Sequence, residues 1–258
     1  MPEEWAQSSV YVLGVRVDQL TRAQALDSIE EMVARRRASG NVLPCQQVVT
    51  LNTEFVMEAQ HNLAFRNAIN AAALVIADGI GVVWATRYVG RPAPERVTGT
   101  DTLVALAQRC ATCGYRLYLL GATPGVAENA SARLQALAPN LQIAGTYGGS
   151  PAPSEEDAIL ERIRASQADV LTVAYGAPAQ DLWIYRNLAR LPVAVAIGVG
   201  GAFDFVSGRK HRAPRAMQTV GLEWLYRLYR EPWRWRRMMV IPWFIVQVLL
   251  KGRKKSHA

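Results

Sequence analysis

Short apolar runs alternate with helical patterns along the body of the chain, and this alternation restricts the possible folds more than any other feature. Five runs have the length and composition of buried parallel strands: 48–51, 74–77, 117–120, 170–174 and 193–199. Two further segments, 11–17 and 141–146, show more alternation of apolar and polar residues and predict additional strands. Helical patterns lie between them, at 22–37, 54–72, 100–113, 126–137, 155–166 and 180–191. The order predicts a Rossmann-like α/β fold, a mostly parallel sheet with helices on both faces.

The C-terminal segment, 205–258, differs in composition from the rest of the chain. It contains 13 Lys/Arg and 2 Asp/Glu, a local charge of +11. Because the whole chain has a charge of +8, the first 204 residues have a net charge of −3. Aromatic residues stand among the arginines, and a 13-residue apolar run, 238–250, precedes four basic residues. Such a segment is typical of a helix that lies on an anionic bilayer. We therefore predict a body over 1–204 and a basic amphipathic membrane-binding appendage over 205–258.

The same segment restricts where the protein works. A membrane span needs about 20 apolar residues, so we expect the 13-residue run to lie in the interface rather than to cross the bilayer. The first residues have neither a basic nor an apolar signal region, so we expect no signal peptide. The expected location is the cytoplasm, with the tail bound to an anionic bilayer. The aliphatic run argues against nucleic acid as the partner of the basic residues.

Motifs for metals, phosphates and dinucleotides are missing from the chain. There is no G-x-x-x-x-G-K-[ST], no G-x-G-x-x-G after the first strand, no D-x-D and no H-E-x-x-H. The three histidines are scattered, and the C-x-x-C formed by Cys110 and Cys113 has no second ligand pair. We therefore expect no protein-bound metal and no cofactor, and we expect the cysteines to be ordinary buried thiols.

Small and polar residues gather where the predicted strands meet the following helices. These junctions are 50–52, 77–81, 121–125, 175–180 and 198–204. In open α/β sheets, ligands bind beyond the carboxyl ends of the strands, and helix N-termini there favour a diphosphate. The junctions therefore predict a cleft of nucleotide size.

In their order along the chain, these junctions resemble the WecG/TagA/CpsF family of bacterial glycosyltransferases (glycosyltransferase family 26) from about residue 13 to about residue 237. The motifs that carry the resemblance are Asn52, Ala77-Asp78-Gly79, Arg96-Val97-Thr98-Gly99-Thr100-Asp101, Gly121-Ala122-Thr123-Pro124-Gly125, Gly198-Val199-Gly200-Gly201-Ala202-Phe203-Asp204, Arg212-Ala213-Pro214 and 221–237. One departure is visible, because the family usually reads Pro-Lys-Gln-Glu where this chain has Pro178-Ala179-Gln180-Asp181. Any role of that lysine cannot be carried over to this chain.

The resemblance implies transfer of a sugar with inversion, without a metal, from a UDP-sugar to an undecaprenyl-diphosphate-linked saccharide. It also implies that the protein is peripheral on the inner face of the bacterial plasma membrane. N-acetylmannosamine or a related hexose is the sugar it implies, in the synthesis of teichoic acid or other cell-surface polysaccharides. The partners it implies are the UDP-sugar donor, the polyprenyl-diphosphate-linked acceptor and an anionic membrane surface. Self-association into a homo-oligomer is also plausible on family precedent.

The resemblance also implies roles for individual residues. Asp78 would be the general base, and Arg96, Arg227, Arg234 and Arg237 would complete the active site around the departing diphosphate. The residues expected to bind substrate are Thr50, Asn52, Gly121, Gly176, Gln180, Gly200 and Asp204. Alternatives remain open, because Asp78 and Asn52 would also suit helix caps and the arginines would also suit lipid headgroups.

Two other functions compete with this interpretation. An NAD(P)-dependent oxidoreductase would use the same kind of sheet, but the dinucleotide fingerprint and a Tyr-x-x-x-Lys pair are missing. A non-catalytic adaptor recruited to the membrane would need the tail but not the carboxylate of Asp78. If the transferase interpretation is right, a tail that holds both arginines and membrane anchors would close the cleft only at the membrane.

Overall fold

The computed structural model describes residues 9–214, 217, 223–230, 232 and 235–251. Its first elements are two short strands, β1 (Ser9–Val12) and β2 (Val15–Asp18), which pair antiparallel. The prediction of a single strand over 11–17 is therefore wrong. Leu13 and Gly14 both have positive φ, 52° and 83°, and this turn reverses the chain inside the predicted segment.

Six further strands form one parallel sheet. They are β3 (Gln46–Leu51), β4 (Leu74–Ala77), β5 (Arg116–Gly121), β6 (Gln142–Tyr147), β7 (Val170–Ala174) and β8 (Val195–Gly198). Their order across the sheet is β4-β3-β8-β7-β5-β6, and all neighbouring pairs are parallel. The prediction of a mostly parallel sheet is confirmed.

Helices cover both faces of this sheet. Their bounds are α1 (Arg22–Ala38), α2 (Thr53–Glu58), α3 (Leu63–Ala71), α4 (Ile80–Tyr88), α5 (Gly99–Cys113), α6 (Val126–Leu137), α7 (Glu156–Ser166), α8 (Ala179–Asn187), α9 (Ala202–Val206), α10 (Glu223–Arg230), α11 (Trp235–Met238) and α12 (Val240–Lys251). One apolar core joins α1, α5, α6 and α9 to the first face. On the opposite face, one core contains residues of α2, α3, α4 and α12, and another contains residues of α7 and α8.

Two helical regions before α5 differ from the sequence prediction. The segment 54–72, predicted as one helix, is split into α2 and α3, because the side chain of Asn62 accepts a hydrogen bond from Phe65 N (3.0 Å) and starts a second helix. The helix α4, directly after Asp78 and Gly79, was not predicted. Its apolar residues continue the pattern of the preceding strand, which conceals the helical period.

The C-terminal helix α12 packs on α2 and α4. Phe244 and Val248 are fully buried and belong to the same core as Val56 and Val82. The hydroxyl of Tyr88 donates to the backbone oxygen of Leu249 (3.3 Å), which adds a polar contact between α4 and α12. In the part of the chain that the structure describes, no helix is both long and apolar enough to cross a membrane.

A buried polar cluster lies under the carboxyl end of β8. Gln180 and Asp181 of α8 and Gln47 of β3 are all buried, and Nε2 of Gln47 donates to the backbone oxygen of Asp181 (3.1 Å). Among the described residues, neither carboxylate oxygen of Asp181 has a hydrogen-bond partner. Burial raises the pKa of Asp181 from 3.8 to about 7, although the adjacent Gln180 amide acts in the opposite direction. A Cβ at position 198 would lie 2.5 Å from Nε2 of Gln180 and 2.7 Å from Oδ1 of Asp181, so a larger residue there would displace these buried side chains.

Replacing Asp181 with Asn should change how stability depends on pH. Because the folded-state pKa is raised, the folded protein keeps a proton that the unfolded chain loses, and wild-type stability falls as the pH rises from about 4 to about 7. Above that window both states are ionised and the difference levels off. We expect Asp181→Asn to be more stable than the wild type by about 1–4 kcal/mol near pH 8, with the smallest difference near pH 4.

Urea unfolding of both proteins across this pH range measures the effect. Asp157→Asn is the control, since the Asp157 side chain is 88% exposed and its pair with Arg190 lies at the surface. Parallel pH profiles for the wild type and Asp181→Asn would show that the Asp181 carboxyl is already ionised in the folded protein.

Candidate active site

Asp78 stands at the carboxyl end of β4, where the parallel ladder ends. Its backbone N–H donates to Leu51 O (2.7 Å), and Gly79, with φ of 136°, then turns the chain into α4. Only glycine adopts this φ without strain, so the turn that follows the carboxylate depends on Gly79. The side chain of Asp78 is half-buried and lines a cavity.

The N-terminus of α5 holds the Asp78 carboxylate. The backbone N–H of Gly99, the first residue of this 15-residue helix, donates to Oδ2 of Asp78 (2.9 Å). The positive end of the helix dipole stabilises negative charge at this position. Asp78 therefore does not cap the helix that follows it in sequence, but it contacts the N-terminus of the next helix along the chain.

The segment before α5 brings further polar groups to Asp78. Val97 is buried and its N–H donates to Ala77 O (2.8 Å), so residues 96–98 run along the end of β4. Oγ1 of Thr98 accepts from Asp101 N (3.2 Å) and caps α5. As a result Arg96 and Thr98 both line the same cavity as Asp78.

The cavity has a volume of about 500 Å³ and is lined by residues of two chemical kinds, which we call its polar half and its apolar half. The polar half is lined by Asn52, Thr53, Glu54, Asp78, Arg96, Thr98, Gly99, Thr100 and Arg212. The apolar half is lined by Ile80, Gly81 and Trp84 of α4 together with Trp224, Met238, Ile241, Phe244 and Ile245 of the C-terminal helices, with Gly79 between the halves. A cavity of this size and mixed lining is typical of a site for a small ligand with a polar and an apolar part.

Arg212 is a cavity cation to which the sequence analysis gave no role. Its Nη1 lies 2.5 Å from Oδ1 of Asp101, and Thr98 Oγ1 donates to the other carboxylate oxygen (2.6 Å). Burial opposes ionisation of Asp101, but the hydrogen bonds from Arg212 and Thr98 hold the pKa of Asp101 below its ordinary value. The ion pair therefore fixes a guanidinium group at the polar half. In the sequence, the Arg212-Ala213-Pro214 motif of the family resemblance was the feature that could have pointed to Arg212 as a site residue.

Asn52 and Thr50 have different surroundings, although both follow β3. Oδ1 of Asn52 accepts from Phe55 N (3.1 Å) and caps α2, while the residue also lines the cavity. Capping occupies the side-chain oxygen, so the amide N–H₂ is the group suited to a ligand. Thr50 is buried, donates to Gly198 O (2.9 Å) and does not line the cavity. The substrate-binding roles predicted for both residues stay predictions.

The remaining predicted residues lie at or after the ends of β5, β7 and β8 and do not line the cavity. Gln180 connects two of these junctions, because its Oε1 accepts from Gly176 N (3.2 Å) and from Gly200 N (3.0 Å). Its amide oxygen therefore holds the backbone of the junctions together. Direct contact of Gln180 with a sugar stays a prediction, and the buried side chain makes a supporting role the one that the contacts favour.

Asp204 and Gly121 belong to the same edge of the sheet. Oδ1 of Asp204, in α9, lies 3.8 Å from Nη1 of Arg209, and Arg209 also hydrogen-bonds the Thr123 hydroxyl in the segment after β5. Gly121 has φ of 101°, and its backbone lies so close to β7 that a Cβ at this position would be 2.8 Å from the carbonyl carbon of Ala174. Because neighbouring strands are about 4.8 Å apart, the ends of β4 and β7 are separated by about 14 Å.

Three predicted arginines lie partly or wholly outside the described residues. Arg234 is outside them altogether, whereas the backbones of Arg227 and Arg237 lie in α10 and α11 and their side chains are outside them. Their predicted contact with the departing diphosphate stays a prediction.

The cysteines are not arranged as a reactive pair. Cys110 is buried, and burial raises the pKa of its thiol to about 12, which keeps it protonated and unreactive. Burial also raises the pKa of Cys113. Within the described ranges, no three His, Cys, Asp or Glu residues come together as a metal site.

Comparison with known proteins relates this geometry to a family. The model of the Glycosyl transferase WecG/TagA/CpsF family matches residues 10–258. An N-acetylglucosaminyldiphosphoundecaprenol N-acetyl-beta-D-mannosaminyltransferase of Bacillus spizizenii is 35% identical over 209 residues, which cover 81% of this chain and 80% of that protein. A protein of the same name from Bacillus subtilis is 32% identical over 209 residues, covering 81% of each. The resemblance found in the sequence is thus confirmed, and the chain belongs to the WecG/TagA/CpsF family of glycosyl transferases.

Proposed function

We propose that the chain transfers a sugar, most simply N-acetylmannosamine, from a UDP-sugar to an undecaprenyl-diphosphate-linked N-acetylglucosamine. Family membership and the names of the two relatives support the reaction class and the acceptor. The observation that carries the proposal is Asp78, a carboxylate held at a helix N-terminus inside a cavity with both polar and apolar walls.

Asp78 acts as the general base in this proposal. Its carboxylate takes the proton from the acceptor hydroxyl, the oxygen attacks the anomeric carbon, and the bond from that carbon to the UDP oxygen breaks. A single displacement of this kind inverts the anomeric configuration. The Gly99 N–H holds one carboxylate oxygen in place, so the base is positioned before the acceptor arrives.

Arginines balance the charge that develops on UDP as it leaves. Arg96 lines the polar half of the cavity that contains Asp78. One guanidinium group can bind two diphosphate oxygens at once, so arginines can stabilise the charge on the departing UDP without a metal. We propose that Arg227, Arg234 and Arg237 add to this charge when the tail is in place.

The donor nucleotide lies across the neighbouring strand ends. Gly121, Gly176 and Gly200 let the backbone approach the diphosphate, Asp204 binds the ribose hydroxyls, and Asn52 binds the sugar. The distance of about 14 Å from β4 to β7 suits a nucleotide sugar whose anomeric carbon points towards Asp78.

The tail places this reaction at the membrane. The outer side of α12 exposes Trp243, Val246 and Leu250, and four basic residues follow within 251–255. We propose that residues 205–258 form an appendage that binds the inner face of the plasma membrane and closes over the body, 1–204. Apolar side chains enter the acyl boundary while the basic residues meet anionic headgroups.

Asp78→Asn should remove turnover and preserve nucleotide binding. The amide keeps the shape of the side chain but cannot accept the hydroxyl proton, so we expect kcat to fall by about 10²–10⁴-fold. Turnover is measured with a UDP-sugar and a prenyl-diphosphate-N-acetylglucosamine acceptor in the presence of a chelator, and UDP binding by calorimetry. Asp157→Asn, at an exposed carboxylate, is the control with unchanged kcat.

The same experiment separates the competing functions. An adaptor would tolerate Asp78→Asn, and an oxidoreductase would bind NAD(P) in place of UDP. Full activity in Asp78→Asn, or no UDP binding by the wild type, would contradict the proposal.

The outer side of α12 should determine membrane affinity. Trp243 and Leu250 are 54% and 68% exposed, and we expect Trp243→Ser with Leu250→Ser to weaken binding to anionic vesicles by at least about tenfold. Vesicle flotation measures the binding. Leu63→Ser, a similar change at an exposed leucine of α3, is the matched control. Equal flotation of the double variant and the control would place the membrane contact elsewhere.

A further inference from the structure

The apolar half of the cavity takes no part in the proton transfer or in the binding of charge. It is lined by Ile80 and Trp84 of α4 and by Ile241 and Ile245 of α12. Ile80 is 46% exposed and Ile245 is 39% exposed, although both stand in a cavity that also contains Asp78. An apolar wall beside a charged site indicates a ligand that has both kinds of surface.

The wall is built on elements that are fixed by the core. Phe244 and Val248, four residues apart on one side of α12, are fully buried against α2 and α4. Ile241 and Ile245 have the same spacing and lie on an adjacent side, where they line the cavity. The packing of the first pair therefore sets the position of the second pair.

A third side of α12 continues the apolar surface outwards. Trp243, Val246 and Leu250 are exposed, and they share the helix with the cavity residues. An apolar path thus leads from the cavity beside Asp78 around α12 to the surface of the protein. A chain bound in the cavity would leave it along the side of α12 that we assign to the membrane.

We infer that the apolar half of the cavity is a subsite for the first isoprene units of the lipid acceptor. This inference rests on the proposed function. The acceptor diphosphate lies in the polar half near Arg212, its sugar hydroxyl reaches Asp78, and its hydrocarbon chain passes beside Ile80 and Ile241. The enzyme thus binds part of the lipid directly, and the acceptor does not remain anchored only in the bilayer.

The combination of a cationic group and an apolar lining favours this occupant over others. A polyprenyl diphosphate joins an anionic group to an apolar chain, and the cavity has Arg212 in its polar half and an aliphatic wall in its apolar half. The uracil of the donor is a second occupant to test, because Trp84 and Trp224 also line this half.

Acceptors of increasing chain length test the subsite with the full-length wild-type protein. N-acetylglucosamine diphosphates carrying a methyl, prenyl, geranyl or farnesyl group are used without vesicles, at concentrations at which each is monomeric. We expect KM to fall by about tenfold or more from methyl to geranyl, with little change in kcat, and then to level off as the chain leaves the cavity.

Ile241→Ser with Ile245→Ser should remove this dependence. We expect the double variant to lose the gain from the geranyl group, with about a tenfold or greater rise in KM, while the methyl acceptor and UDP affinity are unchanged. Leu137→Ser, at an exposed leucine of α6, is the matched control and should retain the wild-type dependence. If the double variant does not fold, Ile80→Ser, at a half-exposed position, gives the same comparison.

Three results would overturn the inference: a wild-type KM that does not depend on chain length, an equal loss with the methyl and geranyl acceptors in the variant, and a loss of UDP affinity in the variant. Calorimetric affinities for the same acceptors are measured in parallel. A wild type that binds the geranyl acceptor more tightly but transfers no sugar would refute the proposed function and support the subsite.

Discussion

The hydrogen bond from Gly99 N–H to Asp78 Oδ2 joins the two parts of the chain on which the cavity depends. One part is the end of β4, and the other is the N-terminus of a long helix that begins 21 residues later in sequence. Val97 N–H to Ala77 O fixes the approach of the connecting segment, so Arg96 and Thr98 arrive beside the carboxylate. Breaking this contact would separate the base from the polar groups that surround it.

The opposite wall of the cavity comes from the far end of the chain. α12 reaches α2 and α4 through Phe244 and Val248, and this contact places Ile241 and Ile245 near the turn that follows Asp78. In our proposal the same helix carries the membrane-binding side chains, so one element shapes the acceptor subsite and orients the body on the lipid surface. Membrane binding and catalysis would then be coupled through helix packing, without any change in the sheet.

The sequence predicted the sheet and the position of Asp78 because both depend on local signals. Buried parallel strands read as continuous apolar runs, and an acidic residue followed by glycine at a strand end indicates an edge site. Non-local features escaped prediction. The hairpin turn at Leu13 was hidden inside an alternating run, α4 had no distinct periodicity, and the place of Arg212 depends on its ion pair with Asp101.

The surroundings of Gln180 also depend on non-local packing and could not be predicted from the sequence. Its place near a helix start, two residues after Pro178, would also suit an exposed first-turn glutamine, yet the structure buries it between two glycine junctions. Burial of that kind depends on the packing of β8 over α8, which no local pattern contains. The apolar half of the cavity was also missed, since Ile241 and Ile245 read in sequence only as part of a membrane-seeking run.

Photolabelling with a modified acceptor tests most directly whether the cavity beside Asp78 is where the lipid-linked sugar binds. An N-acetylglucosamine diphosphate whose first isoprene unit carries a diazirine is irradiated with the full-length protein on anionic vesicles, and the labelled peptides are sequenced. We expect label in α4 and in residues 238–245, and unlabelled acceptor should compete it away. Label confined to the ends of β5 and β7, or to the outer side of α12 alone, would contradict the proposed site.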